Sequence, residues 1–224
     1  MCVKNEASRY LCQVLEDARM YIDAAVIIDD ASTDDTVALC YEVLKGIPVS
    51  IVRNAQSKFT YESDLRIQQW QETIATNPDW ILVLDADELF EPSCKYELPT
   101  LLERTDVDVY YFRLFDMWDA DHYREDRYWS AHNYYRPFLI RYKQDFAYAW
   151  CEQALHCGRL PYNIHQLRAE CSSLRLKHYG WSRQQDRVAK YARYKQLDPD
   201  GVFGIKEQYE SILDEHPTLI LWSE

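Results

Sequence analysis

Four short apolar runs, separated by stretches with helical spacing, set the strongest limit on how this chain folds. MCV, AAVIID, IPVSIV and WILVLD alternate with ASRYLCQVLEDARMY, STDDTVALCYEVLKG and SDLRIQQWQETIATNP. In the first helical stretch Tyr10, Leu11, Val14, Leu15 and Ala18 share a face; in the third Ile67, Trp70 and Ile74 do, with Pro78 as the stop. Ser32, Thr33 and Asp34 fit the N-terminal cap of the second, and Gly46 fits its end. Continuous apolar strands with helices between them predict a parallel sheet covered on both faces. Ligands of such sheets bind beyond the carboxyl ends of the strands. Two of the runs end there on acids, Asp29-Asp30 and Asp85-Ala86-Asp87-Glu88. Acids packed this closely need either water over them or a cation among them.

The second half follows a different pattern. After Pro92, VDVYYFRLFDMW and YYRPFLIRYK alternate as antiparallel strands do, with Pro137 marking an edge or a bulge. Helix returns at the end, in RQQDRVAKYARYKQL and IKEQYESIL, joined by the turn DPDG. Ser182 followed by Gln185 fits a capping box for the first of these. With 224 residues and no low-complexity linker the chain reads as a single domain, 1–224, in three parts: 1–92, 93–180 and a helical extension 181–224.

Composition removes several functions. A net charge of -12 argues against nucleic acid, which needs a basic face. An anionic small molecule stays possible if a metal ion stands between it and the protein. Seven cysteines without a CxxC pair read as reduced thiols in a cytoplasmic protein, and no apolar run reaches the roughly 20 residues that span a bilayer. The 18 tyrosines and 7 tryptophans crowd between residues 110 and 150, as core packing or as a surface on which sugar rings stack.

Phosphate recognition cannot rest on a glycine-rich loop. The chain has five glycines and neither GxxxxGK[ST] nor GxGxxG. A phosphorylated ligand would need a metal for much of its neutralisation, and carboxylates suit Mg²⁺ or Mn²⁺. Asp85 and Asp87 are the right donors at a strand end, against the plainer reading of a solvated acidic turn. Asp29 and Asp30 together exceed what a helix cap requires, and a carboxylate there suits a nucleobase N–H or a ribose hydroxyl.

In order along the chain, VKNEASRYL, VIIDDASTDDT, WILVLDADE, ALHCGRLP and LKHYGWSRQQDRVAKYARY resemble the motifs of family 2 glycosyltransferases of bacterial type. The resemblance covers nearly the whole chain. It implies the GT-A fold: an α/β, Rossmann-like three-layer sandwich with a mostly parallel central sheet, a smaller antiparallel acceptor-side region and C-terminal helices. It implies a nucleotide-sugar-binding half at 1–92 and an acceptor-side half at 93–180. Val3, Asn5 and Glu6 would line the nucleotide and Asp30 would contact the base. Arg66 would lie near the diphosphate or brace the acidic cluster. Asp85 would face ribose and metal, with Ala86 beside the nucleotide-sugar, and Asp87 would be the direct metal ligand. His178 would complete the metal site or be a satisfied core histidine. The implied enzyme is an inverting, hexosyltransferase-like transferase using Mn²⁺ or Mg²⁺. Its donor is a nucleotide-diphosphate sugar, UDP-linked, and its acceptor a glycan, lipid-linked or protein hydroxyl. Cell-surface polysaccharide synthesis, with peripheral membrane association and no transmembrane segment, is the implied setting.

Two departures from the family pattern stand out. Related members carry His-Glu where this chain has His156-Cys157, so the expected acid is missing there. Glu152 is the nearest substitute base, with Asp116, Asp119 and Asp145 as others; Trp150 and His156 fall on the acceptor side, where His156 either positions the acceptor or packs. Only Met1 and Cys2 precede Val3, which predicts weaker nucleotide binding or lower stability if nothing precedes Met1. A catalytically degenerate module that binds a glycan or partner is the alternative. A sugar nucleotidyltransferase is the weaker rival, because VKNEASRY lacks glycine and a cluster of cations.

Overall fold

Three of the apolar runs form strands β1 (Cys2–Val3), β2 (Ala25–Asp29) and β3 (Val49–Arg53), parallel and in that order. The computed structural model describes residues 1–151 and 157–224. Helices α1 (Leu11–Ala18), α2 (Thr36–Val43) and α3 (Glu62–Ile74) connect the strands. Every buried residue of α1, Leu11, Val14, Leu15 and Ala18, lies on the stripe its spacing requires. Leu11 and Leu15 pack with Val3, Ile27, Cys40 and Leu44 into the core of this half. Gly46 follows α2 at φ 94°, a left-handed position that glycine occupies without strain.

The fourth run starts a second sheet. Strands β4 (Trp80–Leu82), β5 (Glu88–Phe90), β6 (Val109–Asp116), β8 (Tyr135–Arg141) and β9 (Ala169–His178) take the order β4-β8-β6-β9-β5. All its pairs are antiparallel except β6 with β9. Phe90, Phe112 and Phe138 anchor the core on one side; Trp70 of α3 joins Ile81, Val109 and Ile140 in another cluster. Pro137 sits at a bulge, where the register with β6 shifts between Tyr110 and Tyr111. A ribbon of β7 (His122–Arg124) and β10 (Leu219–Leu221), the helices α4 (Cys94–Glu103), α5 (Gln184–Leu197) and α6 (Lys206–Ser211), and the short 3-10 turns Ala131–Asn133, Tyr162–Gln166 and Tyr179–Trp181 complete the described elements. No helix among the described residues is long and apolar enough to cross a membrane.

The expected capping box at Ser182 does not form. Arg183 precedes α5, without a side-chain cap, and pairs with Asp186 at 2.8 Å. The Ser182 hydroxyl instead donates to Tyr179 O at 2.8 Å, drawn back by the tight turn Tyr179–Trp181. Helix α4 and strand β9 were not expected: Pro99 lies inside the former, and polar residues interrupt the latter.

The two sheets leave a slot between them. β1 pairs only with Ile28 and Asp29, so most of β2 lacks a neighbour on that side. Met1 N donates to Val26 O at 2.8 Å, which turns the backbone of Val26 toward the slot. On β4, Val83 N bonds Phe138 O, so by alternation Trp80 and Leu82 turn their backbone groups the other way, into the slot. The cavity measures about 590 Å³ and is lined by Met1, Val26, Trp80, Leu82 and Leu139 among others. An in-line extension of Met1 by four β-branched residues is expected to raise the thermal midpoint. Burial worth ~2 kcal/mol shifts a chain of this size by about 4–8 °C. Scanning calorimetry checks this, and an unchanged midpoint would show that the slot takes no strand.

Candidate active site

The acidic turn joins β4 to β5, and each of its acids has a different cationic partner. Glu88 is buried at 2% exposure and receives the Arg159 guanidinium fork at 2.6 and 2.8 Å. It also accepts Asp85 N at 2.9 Å, so the pair fixes the shape of the turn. Arg159 stacks over Phe138, 4.1 Å from the ring centroid. Asp85 takes the fork of Arg66, Nη1 at 2.9 Å and Nη2 at 3.0 Å. Burial pushes the Asp85 carboxyl up, but Arg66 and Arg159 outweigh it and hold it at about 2.

Asp87 faces a cluster of cations. His178 Nε2 lies 3.7 Å from its Oδ2, Lys190 Nζ 3.9 Å and Arg9 Nη2 4.0 Å. Burial opposes the charge, yet His178, Lys190 and Arg9 together hold the carboxyl well below the carboxylate range. His178 sits at the end of β9, in register with Glu88 on β5 and Asp116 on β6. Its Nδ1 bonds Asp116 Oδ1 at 2.7 Å, which orients the ring and leaves Nε2 toward Asp87. Burial pushes the imidazole down; Asp87 and the bond to Asp116 prevail and raise it to about 9.

Asp87 and His178 fit one side of a divalent-cation site. A Cβ on Gly180 would lie 2.5 Å from Asp87 Oδ2, 2.6 Å from His178 Nε2 and 2.3 Å from Lys190 Nζ, so glycine keeps open a point on which these atoms converge. A carboxylate and an imidazole with a carboxylate behind it are suitable donors, and Mg²⁺ commonly completes its shell with substrate phosphates and water. Among the described residues no group of three or more His, Cys, Asp or Glu side chains forms a ready metal set. Asp85, expected as a ligand, is engaged by Arg66.

The first two loops are tied to each other. Asn5, at φ 53°, donates its N–H to Ser32 Oγ at 3.0 Å and accepts Thr33 N at 2.8 Å. Glu6 N bonds Thr36 Oγ1 at 2.8 Å, and Ala7 N bonds Asp34 at 3.2 Å. Ser32 and Asp34 therefore hold the β1–α1 loop, and Asp34 also accepts Thr36 N at 3.1 Å, the first N–H of α2, whereas Asp35, at the cap position itself, makes no side-chain cap. Val3 is buried in the core and accepts Asp30 N at 2.8 Å through its carbonyl. Ala86 is likewise buried. Burial raises Glu6 to about 7 despite Arg9 at 2.6 Å. Asp30 accepts Asn54 Nδ2 and Lys58 N at 2.9 Å and Phe59 N at 3.2 Å, so its carboxylate organises the loop after β3.

Beside the turn lies a cavity of about 270 Å³, with Asp85, Asp116 and His178 on one wall and Trp129, Trp181 and Tyr209 on another. Trp150, expected on the acceptor side, is not part of its lining; it packs against Trp70 at a centroid distance of 6.1 Å. Glu152 and His156 lie outside the described residues. Burial raises the neighbouring Cys157 thiol to about 11. Sequence reasoning missed Arg9, Arg159 and Lys190. All three fall within quoted motifs, VKNEASRYL, ALHCGRLP and LKHYGWSRQQDRVAKYARY, but nothing local in GRLP marks Arg159 as the partner of Glu88.

Breaking the buried pair strands a charge. Arg159→Leu or Glu88→Leu is expected to cost about 3–5 kcal/mol, and the double variant less than the sum, by urea denaturation. A pH test follows from His178, whose folded value near 9 exceeds the free value of 6.5. Stability from its charged ring is whole below about pH 6.5 and is lost as pH rises through about 9. Without divalent cations, urea stability should fall across that window, and His178→Asn should flatten the fall; parallel curves would contradict the assignment.

Residues 1–157 match the sequence model of glycosyl transferase family 2. Uncharacterised proteins of Mycobacterium tuberculosis and Mycobacterium bovis are each 26% identical over 228 residues, covering 93% of this chain and 52% of their own. The chain spans about half the length of these curated relatives. S. aureus TarS 1-349 aligns with a TM-score of 0.59 at 11% identity, over 95% of this chain and 67% of that one. TarS 1-349 in complex with UDP-GlcNAc gives 0.55 at 11% identity, over 95% and 68%. At such identities the likeness concerns the fold, which is the GT-A fold expected from the motifs. The family match covers well over half of the sequence, and the chain belongs to glycosyl transferase family 2.

Proposed function

We propose that this glycosyltransferase moves a hexose from a UDP-linked donor to a hydroxyl of a glycan, lipid-linked or protein acceptor, with inversion. The observation that carries the reading is the meeting of Asp87 with His178, Lys190 and Arg9 at the carboxyl end of β4. A UDP-linked donor is supported by the likeness of the fold to TarS 1-349 in complex with UDP-GlcNAc and with UDP.

The chain's own groups divide the work. Lys190 and Arg9 bring fixed positive charge to the place where a diphosphate would leave, where preorganised charge is most effective. Asp116 holds the His178 ring so that Nε2 faces inward. Asp87 and His178 would hold Mn²⁺ or Mg²⁺, with Asp85 reaching it only by loosening from Arg66. Bound there, the ion supplies a Lewis acid for the departing diphosphate. Asp30 and the loop it orders would border the base, and Asn5 and Glu6 the nucleotide. Glu152 is the proposed base for the acceptor hydroxyl, and His156 an acceptor contact. Cytoplasmic action at a membrane surface belongs to the same reading.

Incubation with Mn²⁺ and a panel of UDP-sugars should release UDP, slowly by hydrolysis and faster with an acceptor. Asp87→Asn should lower kcat by about 100-fold or more. Release unchanged in that variant would overturn the role of Asp87. UDP binding without any turnover would favour a glycan-binding module instead.

A further inference from the structure

Among the described residues, the cavity beside the acidic turn contains one charge without a counter-charge. Asp85 faces it but is held by Arg66; Glu88 and Arg159 hold each other; Asp116 holds His178. Arg136 also lines this wall, half-buried on β8 opposite Phe112 of β6. Among the described residues its guanidinium has no ion pair, hydrogen bond or aromatic ring stacked on it. A guanidinium stays charged at every working pH, and one partly withdrawn from water is costly to leave unpaired. Its planar fork matches a carboxylate or a phosphate with two parallel hydrogen bonds.

The rest of the cavity limits what carries that anion. Its volume of about 270 Å³ falls below the roughly 300–1,000 Å³ typical of drug-sized ligand sites, which suits one sugar ring better than an extended chain. Gln208 gives the cavity a polar edge, and Trp181, with Lys190 Nζ 4.2 Å from its ring centroid, borders it. Trp129, buried at 1% exposure with its Nε1 bonded to Ser211 at 2.8 Å, is fixed structural lining rather than a contact for the ligand.

We propose that Arg136 makes this cavity a subsite for an anionic sugar-sized group, a carboxylate or phosphate carried by one of the two substrates. The carboxylate of an acidic sugar on the donor and a phosphate on the acceptor present the same chemistry to the guanidinium. Naming donor and acceptor rests on the glycosyltransferase reading above; the preference for an anion does not.

Calorimetry on the full chain at low salt, with wild type, Arg136→Met and Arg136→Lys, tests this. In the donor arm UDP-glucuronate is compared with UDP-glucose; in the acceptor arm glycerol phosphate is compared with glycerol, each with UDP present and absent. One arm should show the anion binding about tenfold or more tighter than its neutral partner. Arg136→Met, folded by circular dichroism, should bring that ratio to about one, and Arg136→Lys should keep part of it. The arm that responds identifies the source of the anion. No preference in either arm, or a preference that survives Arg136→Met, overturns the proposal. Failure of wild type to bind UDP while the anion preference persists would overturn the donor-site reading alone.

Discussion

Three carboxylates within four residues at the end of a buried strand set the electrostatic problem that this structure solves. At 4 Å, two like charges in a partly screened protein environment repel by about 4 kcal/mol. The solution is distributed: Arg66 comes from α3, Arg159 from the segment before β9, His178 from the end of β9, and Lys190 from α5. Arg9 approaches from the loop before α1. The neighbouring sheet, the helical extension and the first loop are therefore fastened to one short turn, and the position of each depends on the others.

Strand register does the finer alignment. β9 lies between β5 and β6, and a single rung brings Glu88, His178 and Asp116 abreast. Their roles differ although they are neighbours. Glu88 is closed off by Arg159, whereas Asp116 orients a ring whose far nitrogen faces Asp87. Rigid backbone pairing, rather than loop structure, supplies the precision a reacting site requires.

Much of this architecture was legible in the sequence. The first half could be read because buried parallel strands are short and uninterrupted and their helices carry clear apolar stripes, as Leu11 to Ala18 do. Strands β6 and β8, and the bulge at Pro137, followed from alternation and proline chemistry. Helix α4 did not, since Pro99 inside it imitates a stop. Pairing across the fold was the least legible. Glu88 had no assigned role because its partner stands 71 residues away, and no local pattern encodes such a match. Ser182 had the letters of a cap, but a nearby carbonyl took its hydroxyl.

The spread of those counter-charges also affects how the chain is made. Synthesis from the N-terminus delivers Asp85, Asp87 and Glu88 together, accompanied only by Arg9 and Arg66. Arg159, His178 and Lys190 follow much later, Lys190 after a further 103 residues (190 − 87). At ribosomal speeds that interval is roughly 5–20 s. Until Arg159 emerges, 71 residues after Glu88, that acid, destined for nearly complete burial, has no cation to enter the core with, so the central turn stays hydrated on the nascent chain. The pocket thus closes late, only once the segment carrying Lys190 has left the ribosome.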